Sequence, residues 1–205
     1  KFRYEDDGRA LVLYEKNTPR VYLIPGRQIN TRERLEILAL ALSEEIDDGQ
    51  PVQDVIESVL KKGGIPVLSW APGKWMFGRK KIVRSLFENI SPNELLVGDT
   101  SLRPAGFGEP FLMRYARELG FTVIHGSDAL PLDREEERLG SYASVFDASF
   151  DAASPFHAAR TLLKNRQFQP AGVGKRMGLP GVVNRLIKNA VAGKSIPSGK
   201  HGISP

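Results

Sequence analysis

The chain has no cysteine and only three histidines in 205 residues. The first absence excludes disulfides, thiolate metal ligands and cysteine nucleophiles. The second excludes a metal centre built from many imidazoles. No apolar run approaches the roughly 20 residues that a membrane-spanning helix needs, so no span is expected. Acidic residues are missing from Lys164 to the C-terminus, a stretch that holds Lys164, Arg166, Lys175, Arg176, Arg185, Lys188, Lys194 and Lys200. Such a segment has the charge to meet nucleic acid, anionic lipid or an acidic partner. Its cations are scattered among Gly and Pro with Phe168 as their aromatic company, so a solvated extension is the simpler reading and nucleic acid is not the expected partner. The chain opens Lys1-Phe2-Arg3-Tyr4, without Met or an apolar signal core, which suggests sequence upstream of Lys1.

What is present suits a folded α/β domain. Hydrophobic residues make up 41% and charged residues 26%, too apolar a mixture for disorder. A cysteine-free chain without a span is compatible with the cytoplasm, the expected location. Ala10 to Glu15 and Val21 to Ile24 read as strands, and Arg34 to Leu42 fits either helix or strand. Pro51 to Lys62 predicts a helix with Val52, Val55, Ile56, Val59 and Leu60 on one stripe, ended by Gly63-Gly64. Ile65 to Ser69, Leu95 to Val97 and Thr122 to Ile124 read as buried strands, with helices over Lys80 to Asn89 and Pro110 to Gly120 between them. A strand over Ser144 to Phe150 follows, then a helix opened by Ser154 as N-cap and Pro155 at N1 and running to Asn165. A last amphipathic helix fits Leu179 to Ala192. The expected division is a barrel-type domain over 1–165 and a basic, Gly/Pro-rich extension over 166–205. Alternating strands and helices point to a parallel (β/α) barrel of TIM type, incomplete at its N-terminus.

Polar residues follow four successive strands: Gln28; Trp70, Lys74 and Trp75; Asp99 and Arg103; Asp128. In parallel α/β folds such strand ends converge on one edge, where ligands bind. Asp99 and Asp128 are therefore candidate catalytic carboxylates, and Gln28, Lys74, Arg103, Trp70 and Trp75 candidate substrate contacts. Asp128 with His125 is the candidate metal pair. Gly73-Lys74 lacks the rest of a phosphate loop, and the Ser127 of His125-Gly126-Ser127-Asp128 lacks the glycine frame of a nucleophile elbow.

Four segments carry a resemblance: Ile24-Pro25-Gly26-Arg27-Gln28-Ile29-Asn30-Thr31, Leu35-Glu36-Ile37-Leu38-Ala39-Leu40, Pro66-Val67-Leu68-Ser69-Trp70 and Gly126-Ser127-Asp128-Ala129-Leu130. Together they resemble the polymerase-and-histidinol-phosphatase (PHP) family, with the related amidohydrolase barrels behind it. The resemblance implies a distorted (β/α) barrel and a metal-dependent phosphoesterase. Gln28 stands where the family has a Glu ligand, Trp70 near an expected His-Pro, and Leu130 in place of the last His; Asp128 alone keeps its ligand type. The resemblance thus implies a hydrolase with a degenerate metal site, holding no metal or one weakly bound zinc or manganese. Its substrate would be a phosphorylated, anionic or sugar-like small molecule. The alternative is a non-catalytic barrel used for binding or scaffolding.

Overall fold

In the computed structural model, residues 1–166 and 169–195 are described. Phe168, Lys200 and His201 lie outside them. The chain begins with an antiparallel meander, β1 (Phe2–Glu5), β2 (Ala10–Glu15) and β3 (Thr18–Leu23). The main sheet follows in the order β4 (Gly26–Asn30), β5 (Glu36–Leu40), β6 (Ile65–Ser69), β7 (Leu96–Thr100) and β8 (Val123–Gly126). A small hairpin pairs β9 (Tyr142–Val145) with β10 (Ala171–Gly174).

The main sheet is not a barrel. Its pairings β4–β5 and β5–β6 are antiparallel, and only β6–β7 and β7–β8 are parallel. Among the described residues β4 and β8 remain the two edges, and three separate sheets replace one closed wall. The expected parallel (β/α) barrel of PHP or TIM type is therefore corrected to an open, mixed α/β sheet. The difference begins at Arg34 to Leu42, whose ambiguous pattern resolves as β5, with Ile37 and Ala39 buried by alternation. A β4–β5 hairpin uses up residues that a barrel would give to a crossover helix.

Two parallel crossovers remain, through α2 (Gly78–Asn89) and α3 (Phe111–Glu118), while α1 (Val52–Lys61) links β5 to β6. Since strands are added in one direction, right-handed crossovers put these helices on one face. There Val55 and Val59 of α1, Val83 and Leu86 of α2, and Met113 and Ala116 of α3 pack on Ile37, Leu68, Val97 and Val123. Phe121, 1% exposed, lies against Phe87 at 5.0 Å between ring centres and fills the centre of this layer. The opposite face is thinner: Ile65, Val67 and Leu96, with Leu38, Leu40 and Ile124 half-buried beside Leu163 of α4 (Pro155–Lys164). One face of the sheet is sealed and the other is only partly covered.

Distant side chains hold the outer elements. The Ser154 side chain does not cap α4; Asp6 Oδ2 instead accepts from the Phe156 backbone N–H at 2.6 Å. Phe156 packs with Ala10 and Ala41, so the first hairpin and α4 share a small core. Of the stretch after residue 166, Ala171–Gly174 forms β10 and Leu179–Ser195 forms α5. Arg185 of α5 is only 4% exposed. It donates through Nε to Glu135 Oε1 at 3.0 Å and through Nη2 to the Asp128 carbonyl at 2.9 Å and to Glu135 Oε2.

Removing one member of this buried pair strands the other charge, an effect of about 3–5 kcal/mol. Glu135→Ala should therefore lower unfolding free energy by that order, read by urea denaturation, and cost much less in an Arg185→Met background. Equal costs in the two backgrounds would show that Glu135 does not act through Arg185.

Candidate functional site

Three parallel strands end together at one edge of the sheet: β6 at Ser69, β7 at Gly98-Asp99-Thr100, β8 at His125-Gly126. Alternation sends their side chains to opposite sides. Asp99 and His125, paired in register, share the helix-covered face with Val97 and Val123. Gly98 and Thr100 share the thinly covered face with Leu96 and Ile124. The strand ends therefore supply two neighbouring constellations.

On the covered side Asp99 is fully engaged. Arg103 donates to it twice, Nε to Oδ1 at 2.8 Å and Nη2 to Oδ2 at 2.6 Å, and the Tyr142 hydroxyl donates to Oδ2 at 2.8 Å. Burial pushes the Asp99 carboxyl upward, but the bonds from Arg103 and Tyr142 outweigh it and hold the group below its ordinary value. Burial, with help from Asp99, raises the Tyr142 hydroxyl to about 12, so it remains a donor. The third Arg103 donor, Nη1, bonds the Phe107 carbonyl at 2.8 Å. His125 stands edge-on to Tyr142 at 5.4 Å, with Nδ1 3.2 Å from Ser144 Oγ. Burial lowers its pKa against the pull of Asp99, so the ring is neutral at physiological pH. A Cβ at Gly172 would fall 2.8 Å from His125 Cδ2, and this glycine lets β10 close over the ring.

On the open side lies a cleft of about 230 Å³. Its floor is Leu38, Leu40, Val67 and Ile124, and its polar lining is Ser69, Thr100 and Asp128, with Asp99 and His125 also bordering it. A Cβ on Gly98 would sit 3.2 Å from Val67 Cγ1 and 3.3 Å from Ser69 Cα, so a bare backbone keeps the floor low. Asp128 adopts φ +49°, a left-handed conformation that Asp tolerates better than most residues. Its carbonyl is held by Arg185, and its carboxylate accepts from the Thr100 hydroxyl. Burial first, and the charge of Glu36 second, raise the Asp128 pKa against the opposing influence of Arg185 and Thr100. Glu36, at the start of β5 opposite Ser69, is paired with Lys74 Nζ at 2.9 Å.

A larger hollow of about 460 Å³ runs beside α4. Its ionisable lining groups, Asp151 and His157, are exposed, and it lies away from the strand ends. The cleft over Gly98 combines strand-end position, partial enclosure and a perturbed carboxyl, and is the candidate site.

The residues expected from sequence are spread over three places. Asp128 lines the cleft, whereas Lys74 is paired with Glu36 outside its lining. Asp99 and His125 border the cleft as well, while Arg103 meets it only through its bonds to Asp99. Gln28 is exposed on the edge strand opposite Leu38, on the cleft face but outside its lining. Trp75 is buried, donates Nε1–H to the Ser69 carbonyl at 3.1 Å, and with Trp70 lines a separate hollow beside Phe111. Asp128 and His125, the expected metal pair, both border the cleft, with the His125 ring set against Tyr142 and Ser144. Among the described residues no three His, Asp or Glu side chains are grouped to hold a metal. Sequence reading did not single out Glu36, Thr100, Tyr142 or Arg185. Glu36 had a signal, a lone charge in an apolar run, whereas the others depend on distant pairings.

Because the Asp128 pKa is raised by folding, its contribution to stability is complete below the ordinary 3.8 and is lost as pH rises through the raised value. Asp128→Asn should therefore raise the melting temperature at neutral pH, and the gain should shrink as pH falls to about 4. A loss of stability, or a gain independent of pH, would contradict the assignment.

No protein-family profile and no curated protein sequence matches the chain, so the PHP resemblance gains no support from either. A crystal structure of PsfC from Pseudomonas syringae PB-5123 is similar in fold, with a TM-score of 0.51 at 13% identity over 92% of this chain and 70% of that one. The likeness concerns the fold alone, and with the open mixed sheet it replaces the PHP-barrel reading by an α/β fold of three sheets.

Proposed function

We propose that the cleft binds a small, hydroxyl-bearing, sugar-like molecule and that Asp128 serves it as the general acid–base group of a hydrolase-type reaction. The observation that carries this reading is a half-buried carboxyl with a raised pKa at a strand end, facing a cavity whose floor is kept open by Gly98. Buried carboxylic groups of this kind exchange protons closer to neutral pH than exposed ones do. Ser69 and Thr100 add hydroxyl groups for orientation, and the floor offers an apolar surface to a ring. A phosphorylated substrate fits the charges less well. Arg103 is spent on Asp99 and Lys74 on Glu36, and Asp128 adds a carboxyl without a cation in the cleft lining. Were one weakly held zinc or manganese ion taken up, Asp128 and His125 would be the residues to hold it. A cytoplasmic setting belongs to the same proposal.

A non-catalytic binding pocket is the second reading, favoured by the locking of Asp99 through three hydrogen bonds. Calorimetric titration with neutral sugars, amines and sugar phosphates, repeated for Asp128→Asn, separates the two. The catalytic reading expects saturable binding of a neutral sugar, retained in Asp128→Asn, with turnover of its glycoside or ester falling about 10²- to 10⁴-fold. Binding without turnover in the parent chain would move the assignment to the second reading. Tight binding of phosphate esters alone would overturn the ligand class.

Gly98→Ala provides a test of the cleft itself. The added methyl should cost about 1–3 kcal/mol by crowding Val67 and Ser69 and should weaken ligand binding. Unchanged binding would place the ligand elsewhere.

A further inference from the structure

The loop between β6 and α2 carries a feature that neither the cleft nor the core uses. At its tip Met76 is 53% exposed and Phe77 83% exposed, and Phe111 at the start of α3, 57% exposed, shares a hollow with Met76. Phe77 holds φ +56° and ψ −136°, a backbone conformation that a bulky L-residue rarely adopts. The strain yields no packing for the ring, which points into solvent. The pose is nonetheless fixed. Arg79 donates Nε to the Lys74 carbonyl at 2.8 Å and Nη2 to the Gly73 carbonyl at 2.7 Å, and Trp75 is tied to Ser69. A rigid loop holding its largest apolar side chains outward is what a docking surface requires, and backbone strain is most often retained at functional positions.

The charge around the tip is predominantly positive. The first turn of α2 contains no acidic residue. Lys80, Lys81 and Arg114 are exposed, and none of them forms an ion pair with another described residue. Lys80 Nζ lies 5.6 Å from the centre of the Phe111 ring. Of the nearby acids, Glu88 is paired with Arg84 and Glu109 with Arg117, each at 2.8 Å, and Glu33, in the same hollow as Lys81, accepts from the Val52 N–H. The positive end of the α2 dipole adds to the same field.

We propose that this edge docks on an anionic lipid surface, with Met76 and Phe77 entering the headgroup–acyl boundary and Lys80, Lys81 and Arg114 meeting lipid phosphates and carboxylates. The tip protrudes, so it suits a deformable apolar phase better than a rigid partner needing a matching groove. A stacked nucleic-acid strand is the poorer fit. Phe111 already lies parallel to Tyr115, at 6.3 Å and 5°, and meets Lys80, which leaves Phe77 as the tip's unengaged ring. Such docking is peripheral and needs no transmembrane element; among the described residues no helix is long and apolar enough to cross a membrane. No cleft-lining residue contributes to this edge, so the docking surface is independent of the chemistry proposed for the cleft.

The test is co-sedimentation of the 205-residue chain with phosphatidylcholine vesicles, with and without about one-third phosphatidylserine. Binding should require phosphatidylserine and fall as salt rises. Phe77→Gly removes the ring and relieves the positive φ. It should raise the melting temperature while weakening vesicle binding at least about tenfold. Lys80→Glu with Lys81→Glu should abolish binding without unfolding the chain. Absence of binding, equal binding to neutral vesicles, or full binding by Phe77→Gly would each overturn the proposal. It would be overturned equally if Phe77→Gly abolished self-association or oligonucleotide binding and left vesicle binding intact.

Discussion

The guanidinium of Arg185 ties α5 to the functional edge at three points: the Glu135 carboxylate, the Asp128 carbonyl and, more loosely at 3.5 Å, Ser101 Oγ. Glu135 in turn accepts from the Leu130 backbone N–H at 3.1 Å, and Ser101 donates to the Ser127 carbonyl at 2.5 Å. These bonds fix both ends of the segment that follows β8. Asp128 keeps its left-handed backbone because its neighbours are held on either side, and its carboxyl is thereby aimed across the cleft. Burying an arginine is unfavourable unless its donors are satisfied. Here the satisfied donors shape the loop as well as anchor the helix.

Pairing of charge also decides what the site is fit to bind. Arg103 and Lys74 look, by position alone, like an anion clamp. The fold gives each a carboxylate at 2.6 to 2.9 Å, and neither retains its full attraction for a ligand. Asp99 and Asp128 diverge for the same reason. The first is surrounded by donors and stays ionised; the second has one hydroxyl donor and a neighbouring Glu36, so its proton is held more tightly. Two strand-end aspartates thus acquire opposite tendencies from their surroundings.

The parts of the fold that were legible in sequence are those whose signals are local. Ile65 to Ser69 and Leu95 to Val97 read as strands because both faces of a central parallel strand are buried. Val52, Val55, Ile56, Val59 and Leu60 marked α1 by their spacing, and all but Leu60 are buried. Barrel closure was misread because it depends on which strands pair, and no local pattern states that β5 runs antiparallel to β6. The site divides in the same way. Asp99 and Asp128 were visible as polar residues closing apolar runs. Their determining partners, Tyr142 and Arg185, lie 43 and 57 residues further along, and only the folded chain brings them in. Ser154 shows the limit of a local rule: its side chain is a good cap in principle, yet Asp6 takes the role.

That Asp6–Phe156 link spans 150 residues of chain and has a bearing on synthesis. The first hairpin leaves the ribosome early, but the aromatic ring that covers Ala10 belongs to a helix made much later. At ordinary elongation rates the gap is about 8 to 30 s, longer than hairpin formation by many orders of magnitude. Throughout that interval the nascent meander is a small antiparallel sheet with one uncovered apolar side. The apolar side of the meander stays uncovered until α4 is made, and β10 and α5 follow it.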